Sequence, residues 1–498
     1  MTITPHPESF EARLDASPIT RTMWVLWLLS AGLIALDGFD FFIIGVAIPF
    51  LQRDFGLSAT TVGAVATAAV AGSLLGSLTL GPITDQVGRQ RMLIVDVVIF
   101  VVATTGTALA WNAASLIAFR FLVGVGIGAD YPISVSYVTE NVPARFRGRM
   151  VIGAFAFQAL GALLGALTGL IVIHLFRTFY PGNEQIAIQY AWRWMLAVGV
   201  LLAVAVAMVR LSFSLESPRY FISRGEYAKA TAAATQLLEA PITITPAVDP
   251  QPQGVAPTYG TLFSPAYRRS TILASVPWFL QDIATYGIGI FTPAIIGLLA
   301  FSGETDFMVR EMGSAQGSAA VDVFLILGFV CAILLVEKLG RIRLQIIGFL
   351  GMATGLGILA TADTLPADSA AKIALVLAGF LVFNLMMNAG PNATTFLLSG
   401  EVFPTAIRAT GAGFAAAVAK GGAVVGTFVL PILQTAWGVP PLLMALAVGC
   451  GLAAVMTYVF RIETTGQSLE TVQKLEPATA LPADWLTQPT SRTGSTKP

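Results

Sequence analysis

Hydrophobic residues come in long runs along this chain, and one polar stretch separates the runs into two sets. A helix that crosses a membrane needs about 20 mainly apolar residues. Six such runs precede the polar stretch, at 23–50, 60–80, 92–110, 114–138, 149–174 and 191–213, and six follow it, at 270–299, 319–337, 343–362, 370–398, 408–435 and 438–460. The pattern predicts an all-α membrane protein with twelve transmembrane helices in two six-helix halves.

Polar segments divide the chain into five parts. We expect an N-terminal tail at 1–22, a first half at 23–213, a linker at 214–269, a second half at 270–460 and a C-terminal tail at 461–498. The linker begins with a short helical pattern near Glu226–Glu239 and continues into a proline-rich stretch.

Lysine and arginine concentrate in the short loops on one side of the predicted membrane. Cytoplasmic loops carry an excess of these residues. The three basic loops hold Arg89 and Arg91, then Arg145, Arg147 and Arg149, then Lys338, Arg341 and Arg343. If the spans alternate, both tails lie on the same side as these loops. We therefore expect both termini in the cytoplasm and the protein in the plasma (inner) membrane.

Composition narrows the function. Hydrophobic residues make up 55% of the chain and charged residues 11%, whereas soluble proteins carry about 25% charged residues. The net charge of zero gives no indication of a nucleic-acid partner, and Cys331 and Cys450 lie inside apolar runs and predict no disulfide. The sequence offers no nucleophile–base pair, metal cluster or phosphate-cradling loop, so we expect neither an enzyme nor a cofactor. It does not fix the oligomeric state.

Two short motifs occur once in each half, in the same order. Asp85-x-x-Gly88-Arg89 is matched by Glu337-x-x-Gly340-Arg341, and Glu140-x-x-Pro143-x-x-x-Arg147 is matched by Glu401-x-x-Pro404-x-x-x-Arg408. Paired six-helix halves are a common plan for transporters. We expect a gating motif that holds the cytoplasmic helix ends together, made of Gly81, Asp85, Gly88, Arg89, Glu140, Arg147, Glu337, Arg341, Glu401 and Arg408.

The loop Gly81-Pro-Ile-Thr-Asp85-Gln-Val-Gly88-Arg89 resembles the signature of the major facilitator superfamily. Leu215-Glu-Ser-Pro-Arg219 and Glu463-Thr-Thr-Gly-Gln-Ser-Leu-Glu470 are similar to segments of its sugar-porter side. Within that side, the segments 128–134, 278–286 and 390–396 look most like phosphate:proton symporters. The resemblance implies the major facilitator fold, with two pseudo-symmetric halves.

Several polar residues lie at the middle of the predicted spans. A rise of about 1.5 Å per residue places Gln158 and Lys420 about 17 Å inside the cytoplasmic edge. Trp278, Asp282 and Tyr286 are spaced four apart and share one helix face. Hydrogen-bond donors around a lysine suit a small anion. The predicted substrate site comprises Tyr131, Gln158, Trp278, Asp282, Tyr286, Asn392 and Lys420, and the phosphate-symporter resemblance implies substrate roles at the same positions.

Acidic residues in the first and fourth spans are candidates for proton coupling. Asp37 and Asp40 are three residues apart, and two neighbouring carboxylates repel unless one takes a proton or a cation lies close. Arg120 is the candidate cation, with Asp130 ten residues further along. We expect Asp37 to carry the proton, with Asp40 and Asp130 as alternatives. Asp322 is expected near the outer end of the eighth span, without an assigned role.

The leading hypothesis is a proton-coupled symporter of inorganic phosphate that works by alternating access. Asp37-Gly-Phe-Asp40 also resembles aromatic-acid:proton symporters, so an organic acid is an alternative substrate. A sugar is less favoured, because Tyr286-Gly-Ile-Gly-Ile-Phe291 replaces the glutamine-rich signature of sugar porters. A non-transporting sensor is a further alternative, although the linker is too short for an added signalling domain.

Overall fold

The computed structural model describes residues 10–87, 89–213, 215–244, 259–301, 303–366, 369–403 and 407–465. Within these ranges the chain is almost entirely helical, with sixteen α-helices, two short 3-10 turns and no strand. We number the α-helices α1–α16 in chain order.

Six long helices form the first half. They are α2 (Arg21–Phe55), α3 (Ala59–Val87), α4 (Arg89–Ala108), α5 (Ala113–Asn141), α6 (Ala144–Phe179) and α7 (Glu184–Ser212). The second half contains α10 (Arg268–Ala300), α11 (Phe307–Leu339), α12 (Arg341–Thr361), α13 (Ala370–Ala389), α14 (Pro391–Glu401), α15 (Arg408–Trp437) and α16 (Val439–Phe460). Three short helices complete the set: α1 (Phe10–Ala16), α8 (Pro218–Ser223) and α9 (Tyr227–Leu238).

The prediction of twelve spans is confirmed. Ten helical segments in the described ranges are long and apolar enough to cross a membrane, and α13 and α14 together form one of them. Two shorter apolar stretches, Ile94–Ala108 in α4 and Ala113–Gly128 in α5, supply the other two. The short helix expected near Glu226–Glu239 is α9.

Two differences from the sequence prediction have a clear physical cause. The eighth span was expected to begin at residue 319, but α11 begins at Phe307. Arg310 and Glu311 lower the hydropathy of that segment, yet the arginine Nε donates to the glutamate Oε1 over 3.0 Å, so the helix continues through the pair. The tenth span is broken at Gly390, after which Pro391 starts α14 at a position where proline costs no hydrogen bond.

Gly38 permits the close contact between α2 and α6. A Cβ at this position would lie 2.1 Å from the carbonyl oxygen of Gln158, and a backbone atom cannot move aside as a side chain can. Small residues allow such approaches between membrane helices. The contact places Gln158 beside the turn of α2 that carries Asp37 and Asp40.

The two halves meet mainly along three helix pairs, α3 with α15, α6 with α11, and α2 with α10. The hydroxyls of Thr67 and Thr427 are 2.9 Å apart across the first pair. A Cβ added to Gly45 would lie 1.9 Å from the carbonyl oxygen of Ile290 across the third. These contacts form a seam between the halves.

The short helices gather at the end of the bundle where α2 begins. We call this end the linker side and the opposite end the far side. Phe10 and Leu14 of α1 pack with Leu237 of α9 in one apolar cluster. The Thr20 hydroxyl, which caps α2, donates to the carbonyl of Leu237 over 2.7 Å. The predicted N-terminal tail therefore contains a helix that is docked onto the linker.

Glu239 adds a second tie between the linker and α2. Its Oε1 accepts hydrogen bonds from the backbone nitrogen and the hydroxyl of Thr22, over 2.9 and 3.0 Å. These bonds favour the charged carboxylate and hold the pKa of Glu239 below its usual value.

Candidate functional site

A cavity of about 40 Å³ lies between the two halves. It is lined by α2 and α6 from the first half and by α10, α11, α13, α14 and α15 from the second. Six of the seven residues predicted for the substrate site line it, namely Gln158, Trp278, Asp282, Tyr286, Asn392 and Lys420. The side chain of the seventh, Tyr131, lies outside the described part of the structure.

Lys420 provides the positive charge of the cavity. Its Nζ donates to the hydroxyl of Tyr286 over 2.7 Å, and the ammonium lies 4.5 Å from the centre of the same ring. Asp282 also acts on this ammonium electrostatically and accepts a hydrogen bond from the side chain of Trp278. A cation and an acceptor are therefore buried side by side.

Close packing of α15 on α10 fixes the position of Lys420. A Cβ at Gly422 would lie 2.2 Å from the carbonyl oxygen of Phe279, and one at Gly426 would lie 2.4 Å from that of Ile283. Only glycine allows the two backbones this near. The lysine precedes the first of these contacts by two residues, so its side chain reaches the cavity from a rigid base.

Two amide side chains, Asn388 and Asn392, line another part of the cavity wall. Asn392 Nδ2 donates to Asn388 Oδ1 over 2.7 Å, and Gln281 Nε2 donates to Asn392 Oδ1 over 3.2 Å. Gln281 is fully buried and also accepts from the Thr395 hydroxyl. The break before Pro391 brings Asn392 to the second position of α14, next to the end of α13.

Gln281 and Asn388 were not among the residues predicted for the site. Each stands inside or next to a segment that was singled out for its resemblance, one residue before Asp282 and four before Asn392. The four-residue spacing from Asn388 to Asn392 was the available signal, because residues four apart share a helix face.

Gln158 is the polar contribution of the first half that the structure describes in the cavity. It lies within hydrogen-bonding reach of the Tyr286 hydroxyl. Aromatic rings lie around these polar groups. The ring centres of Phe155 and Phe396 are 4.5 Å apart across the seam, and those of Trp278 and Phe396 are 6.0 Å apart. The cavity thus combines a polar centre with an aromatic wall.

The acidic residues of α2 take two different partners. Arg120 Nη1 lies 3.4 Å from Asp40 Oδ2, and its other nitrogens reach the carbonyls of Asp40 and Val65. Asp37 acts electrostatically on Lys420. Arg120 was the candidate cation for this pair of acids, and the ion pair that the structure describes joins it to Asp40. Spacing alone could not decide this, since both carboxylates lie on neighbouring ridges of α2. The side chain of Asp130 lies outside the described part.

The second-half copy of the gating motif forms one cluster on the linker side. Arg341 bonds Glu337 over 2.9 and 3.0 Å and Glu401 over 3.3 Å. Glu463, in the predicted C-terminal tail, accepts from the backbone nitrogens of Arg341 and Ile342. Gly340 has a φ of +85°, and a Cβ there would meet the Glu463 carboxylate at 2.8 Å. The cluster joins the ends of α11 and α14 to the start of α12.

Much of the first-half copy of the motif lies outside the described part of the structure. Gly88 and the side chains of Asp85, Arg89, Glu140 and Arg147 lie outside the described part, as do the surroundings of Gly81. The side chain of Arg408, in the second-half copy, lies outside it as well. Their gating role stays a prediction.

A family model described as sugar (and other) transporter matches residues 26–475. The chain belongs to this family. Among similar proteins, the putative metabolite transport protein YaaU of Escherichia coli is 28% identical over 87% of this chain and 90% of that protein. The probable inorganic phosphate transporter 1-6 of Arabidopsis thaliana is 29% identical over 92% of this chain and 95% of that protein.

Solved structures show the same fold. The partially occluded, inward-open xylose transporter XylE of E. coli has a TM-score of 0.73 at 21% identity, covering 90% of this chain and 100% of that chain. The proton:xylose symporter XylE bound to 6-bromo-6-deoxy-D-glucose has a TM-score of 0.71 at 20% identity, over 92% and 100%. The protein is an integral, multi-pass secondary transporter of this family, with the major facilitator fold, and it is not an enzyme.

Proposed function

We propose that this transporter is a proton-coupled symporter of inorganic phosphate. The observation that carries the proposal is the buried Lys420 in a cavity whose walls supply hydrogen-bond donors from both halves. Similarity to several plant phosphate transporters, at 28–29% identity, supports it.

The chemistry of the cavity suits a small oxyanion. Lysine binds phosphate as a point charge, while Gln158, Asn392 and Tyr286 offer donors from different directions. Asp282 is the acceptor that a protonated phosphate oxygen needs, since a monoanionic phosphate still carries hydroxyl groups. A volume of about 40 Å³ holds roughly three water molecules, which favours a compact anion over a hexose.

Proton coupling is assigned to the acidic groups of α2 together with Arg120 and Asp130. Asp37 acts on Lys420 and lies one turn from Asp40, which pairs with Arg120. Protonation of Asp37 strengthens the net positive charge at Lys420, so a proton and an anion favour each other's binding. This link between the two ligands is what symport requires.

Alternating access follows from the seam between the halves. In this proposal the linker side faces the cytoplasm, both tails lie there, and the protein resides in the plasma (inner) membrane. The same proposal includes the division of the chain into two tails, two halves and a linker, with boundaries after residues 22, 213, 269 and 460. Phe155 and Phe396 close the cavity toward the cytoplasm, and α2 with α10 close it toward the outside.

Labelled-phosphate uptake into proteoliposomes tests the proposal. Uptake is expected to accumulate phosphate when the outside is acidic, and a protonophore is expected to abolish that accumulation. Lys420→Gln keeps a hydrogen-bonding side chain but removes the charge, and is expected to abolish uptake. Arg224→Gln, a matched loss of charge on the exposed linker, should leave it intact. Uptake of organic acids that phosphate does not compete with would contradict the proposal.

An organic acid is the second candidate substrate. The aromatic wall formed by Phe155, Trp278 and Phe396 favours it, because a planar ring stacks on such side chains. Benzoate-type acids therefore belong in the same uptake screen, beside hexoses.

A further inference from the structure

A stripe of polar side chains runs along a buried face of α11, beyond the cavity toward the far side. Glu311, Ser314, Ser318 and Asp322 follow one another at spacings of three or four residues, so they share one face. They are 5%, 1%, 3% and 6% exposed. The stripe ends one turn from Leu325, which lines the cavity. It extends over about 16 Å of helix.

This face of α11 points toward the other half of the molecule. At its far end, the ring centre of Phe307 lies 5.0 Å from that of Phe50 on α2. The guanidinium carbon of Arg53 lies 3.7 Å from the centre of the same Phe307 ring. At its inner end, Leu325 and Phe329 line the cavity between the halves.

The opposite face of α11 is apolar and exposed, with Val323, Leu327 and Leu334 turned outward. Asp322 therefore lies in the seam and is turned away from lipid. It was expected near the outer end of its span, but it occupies the middle of α11, because that helix begins twelve residues earlier than predicted.

Asp322 has no charged neighbour in the described part of the chain. The charges on the surrounding helices are engaged elsewhere: Asp40 with Arg120, Asp282 and Asp37 with Lys420, Arg310 with Glu311, Arg53 with Glu184, and Lys372 with Asp363. His174 and Arg177 of α6 are exposed at the far side. None of these ion pairs includes Asp322.

An isolated carboxylate inside a membrane protein costs several kcal/mol. The group must then be neutral or hold a cation while the seam is closed. A metal cation prefers several oxygen ligands, and no cluster of three potential metal-binding side chains exists among the described residues. The Ser318 hydroxyl, one turn further out, makes no hydrogen bond within the described structure. A proton satisfies the carboxyl without further ligands.

We propose that Asp322 is a proton-binding site that links protonation to closure of the seam on the far side. With the seam closed, the carboxyl holds its proton. When the seam opens, water enters along the Ser318 face and accepts the proton, which leaves a hydrated carboxylate. The proposal rests on the alternating-access part of the proposed function and does not depend on the substrate.

The linkage has a definite direction. Since opening releases one proton, a higher pH on the far side favours the open seam. The ratio of open to closed molecules should rise by up to about tenfold per pH unit. Replacing the carboxyl with an amide removes this dependence, because an amide is neutral in both forms.

Thiol labelling from the far side tests the linkage without any substrate. Ser318→Cys is introduced into a Cys331→Ser, Cys450→Ser background, and the rate of reaction with a membrane-impermeant maleimide is measured at a series of outside pH values. The same is done with Asp322→Asn added. The labelling rate of the protein with Asp322 is divided by that of the protein with Asp322→Asn. Thiolate formation affects both proteins alike, so it cancels in this ratio. We expect this ratio to rise with pH by up to about tenfold per unit.

The control carries Asp363→Asn instead of Asp322→Asn, a change at an exposed carboxyl just beyond α12, and is expected to keep the full pH dependence. A ratio that does not change with pH overturns the proposal. A ratio that changes when sodium replaces choline at constant pH also overturns it, because such a change indicates that Asp322 holds a metal cation. Failure of phosphate uptake leaves this result unaffected, so the two proposals fail separately.

Infrared spectroscopy supplies a second measurement if Asp322→Asn does not fold. The carbonyl stretching band of a protonated carboxyl differs between aspartic and glutamic acid. Asp322→Glu is expected to shift one such band relative to the unmodified protein. An unchanged spectrum means that Asp322 is not protonated and overturns the proposal.

Discussion

At the scale of single residues, the electrostatics of the cavity depend on one buried cation and on the groups that surround it. Lys420 is the one cation among the described residues that line the cavity, and it contacts Tyr286 while Asp282 and Asp37 act on it. In the proposed function, an anion that enters the cavity competes with these carboxylates for the same ammonium. The affinity of the site therefore depends on the neutral donors that surround it.

Replacing a neutral donor is expected to weaken anion binding without disturbing the charge balance. Gln158→Leu and Asn392→Leu each remove one donor, and a hydrogen bond to a charged group contributes about 1.5–3 kcal/mol. Phosphate affinity measured by calorimetry should fall roughly tenfold or more in each variant. Thr354→Val is the control, because that hydroxyl is exposed and bonds its own helix. Unchanged affinity in both variants would remove these residues from the site.

The two carboxylates of α2 are expected to respond differently to amidation. Asp40→Asn leaves the buried guanidinium of Arg120 without its counter-ion, a change that typically costs about 3–5 kcal/mol. Thermal stability should fall, and exchange and driven uptake should decline together.

Asp37→Asn should retain stability and phosphate exchange but lose proton-driven accumulation, because the amide cannot cycle a proton. Full accumulation in Asp37→Asn would move the coupling role to another acid.

How much of the site was predictable differs from residue to residue. Depth counted from Arg147 and Arg408 placed Gln158 and Lys420 at one level, since helix rise is constant. The partner of Arg120 was not predictable, because choosing between Asp37 and Asp40 requires the rotation of α5 against α2. That rotation depends on the packing of glycines whose neighbours the sequence does not show.

At the scale of helices, hydropathy found the spans but not their ends. The start of α11 was missed because Arg310 and Glu311 look like a loop until they are seen to pair. The break between α13 and α14 was foreseeable from Gly390-Pro391, since proline cannot continue a helix without losing a hydrogen bond. Helix α1 lies in a polar segment, and its stability comes from packing on α9.

The cap of α2 offers a test of this linker-side packing. Thr20 accepts from the backbone nitrogen of Met23 and donates to Leu237. Loss of such a cap typically costs about 1 kcal/mol. Thr20→Ala is expected to lower the thermal unfolding temperature of the purified protein. Ser212→Ala, which removes an exposed hydroxyl bonded to its own helix, is the control, and an equal effect of both changes would mean that the cap contributes nothing.

At the scale of the whole molecule, the far side is closed by backbone contact. Gly45 of α2 meets the carbonyl of Ile290 on α10, so the two halves approach as closely as peptide groups allow. Such a contact is lost completely when the halves separate by a small distance, which makes the closed form sensitive to any added bulk.

Gly45→Val is expected to shift the molecule toward the form that is open on the far side. The added side chain has no space beside Ile290, whereas separation of α2 and α10 relieves the clash. Spin-label distances across the far side should lengthen, and driven transport should fall. Gly32→Val, in the same helix but with nothing within 4 Å of an added Cβ, is the matched control. Equal distances in the two variants would show that this contact does not limit opening.

Glu463 lies past the last residue of α16, yet its carboxylate caps the start of α12 and stands beside Gly340. A gene shortened to end with the final apolar run, at Phe460, would delete this side chain along with the hydroxyls of Thr464 and Thr465 that bond the same cluster. Affinity tags and fluorescent fusions for producing the protein therefore belong after residue 465, although hydropathy alone would permit them earlier.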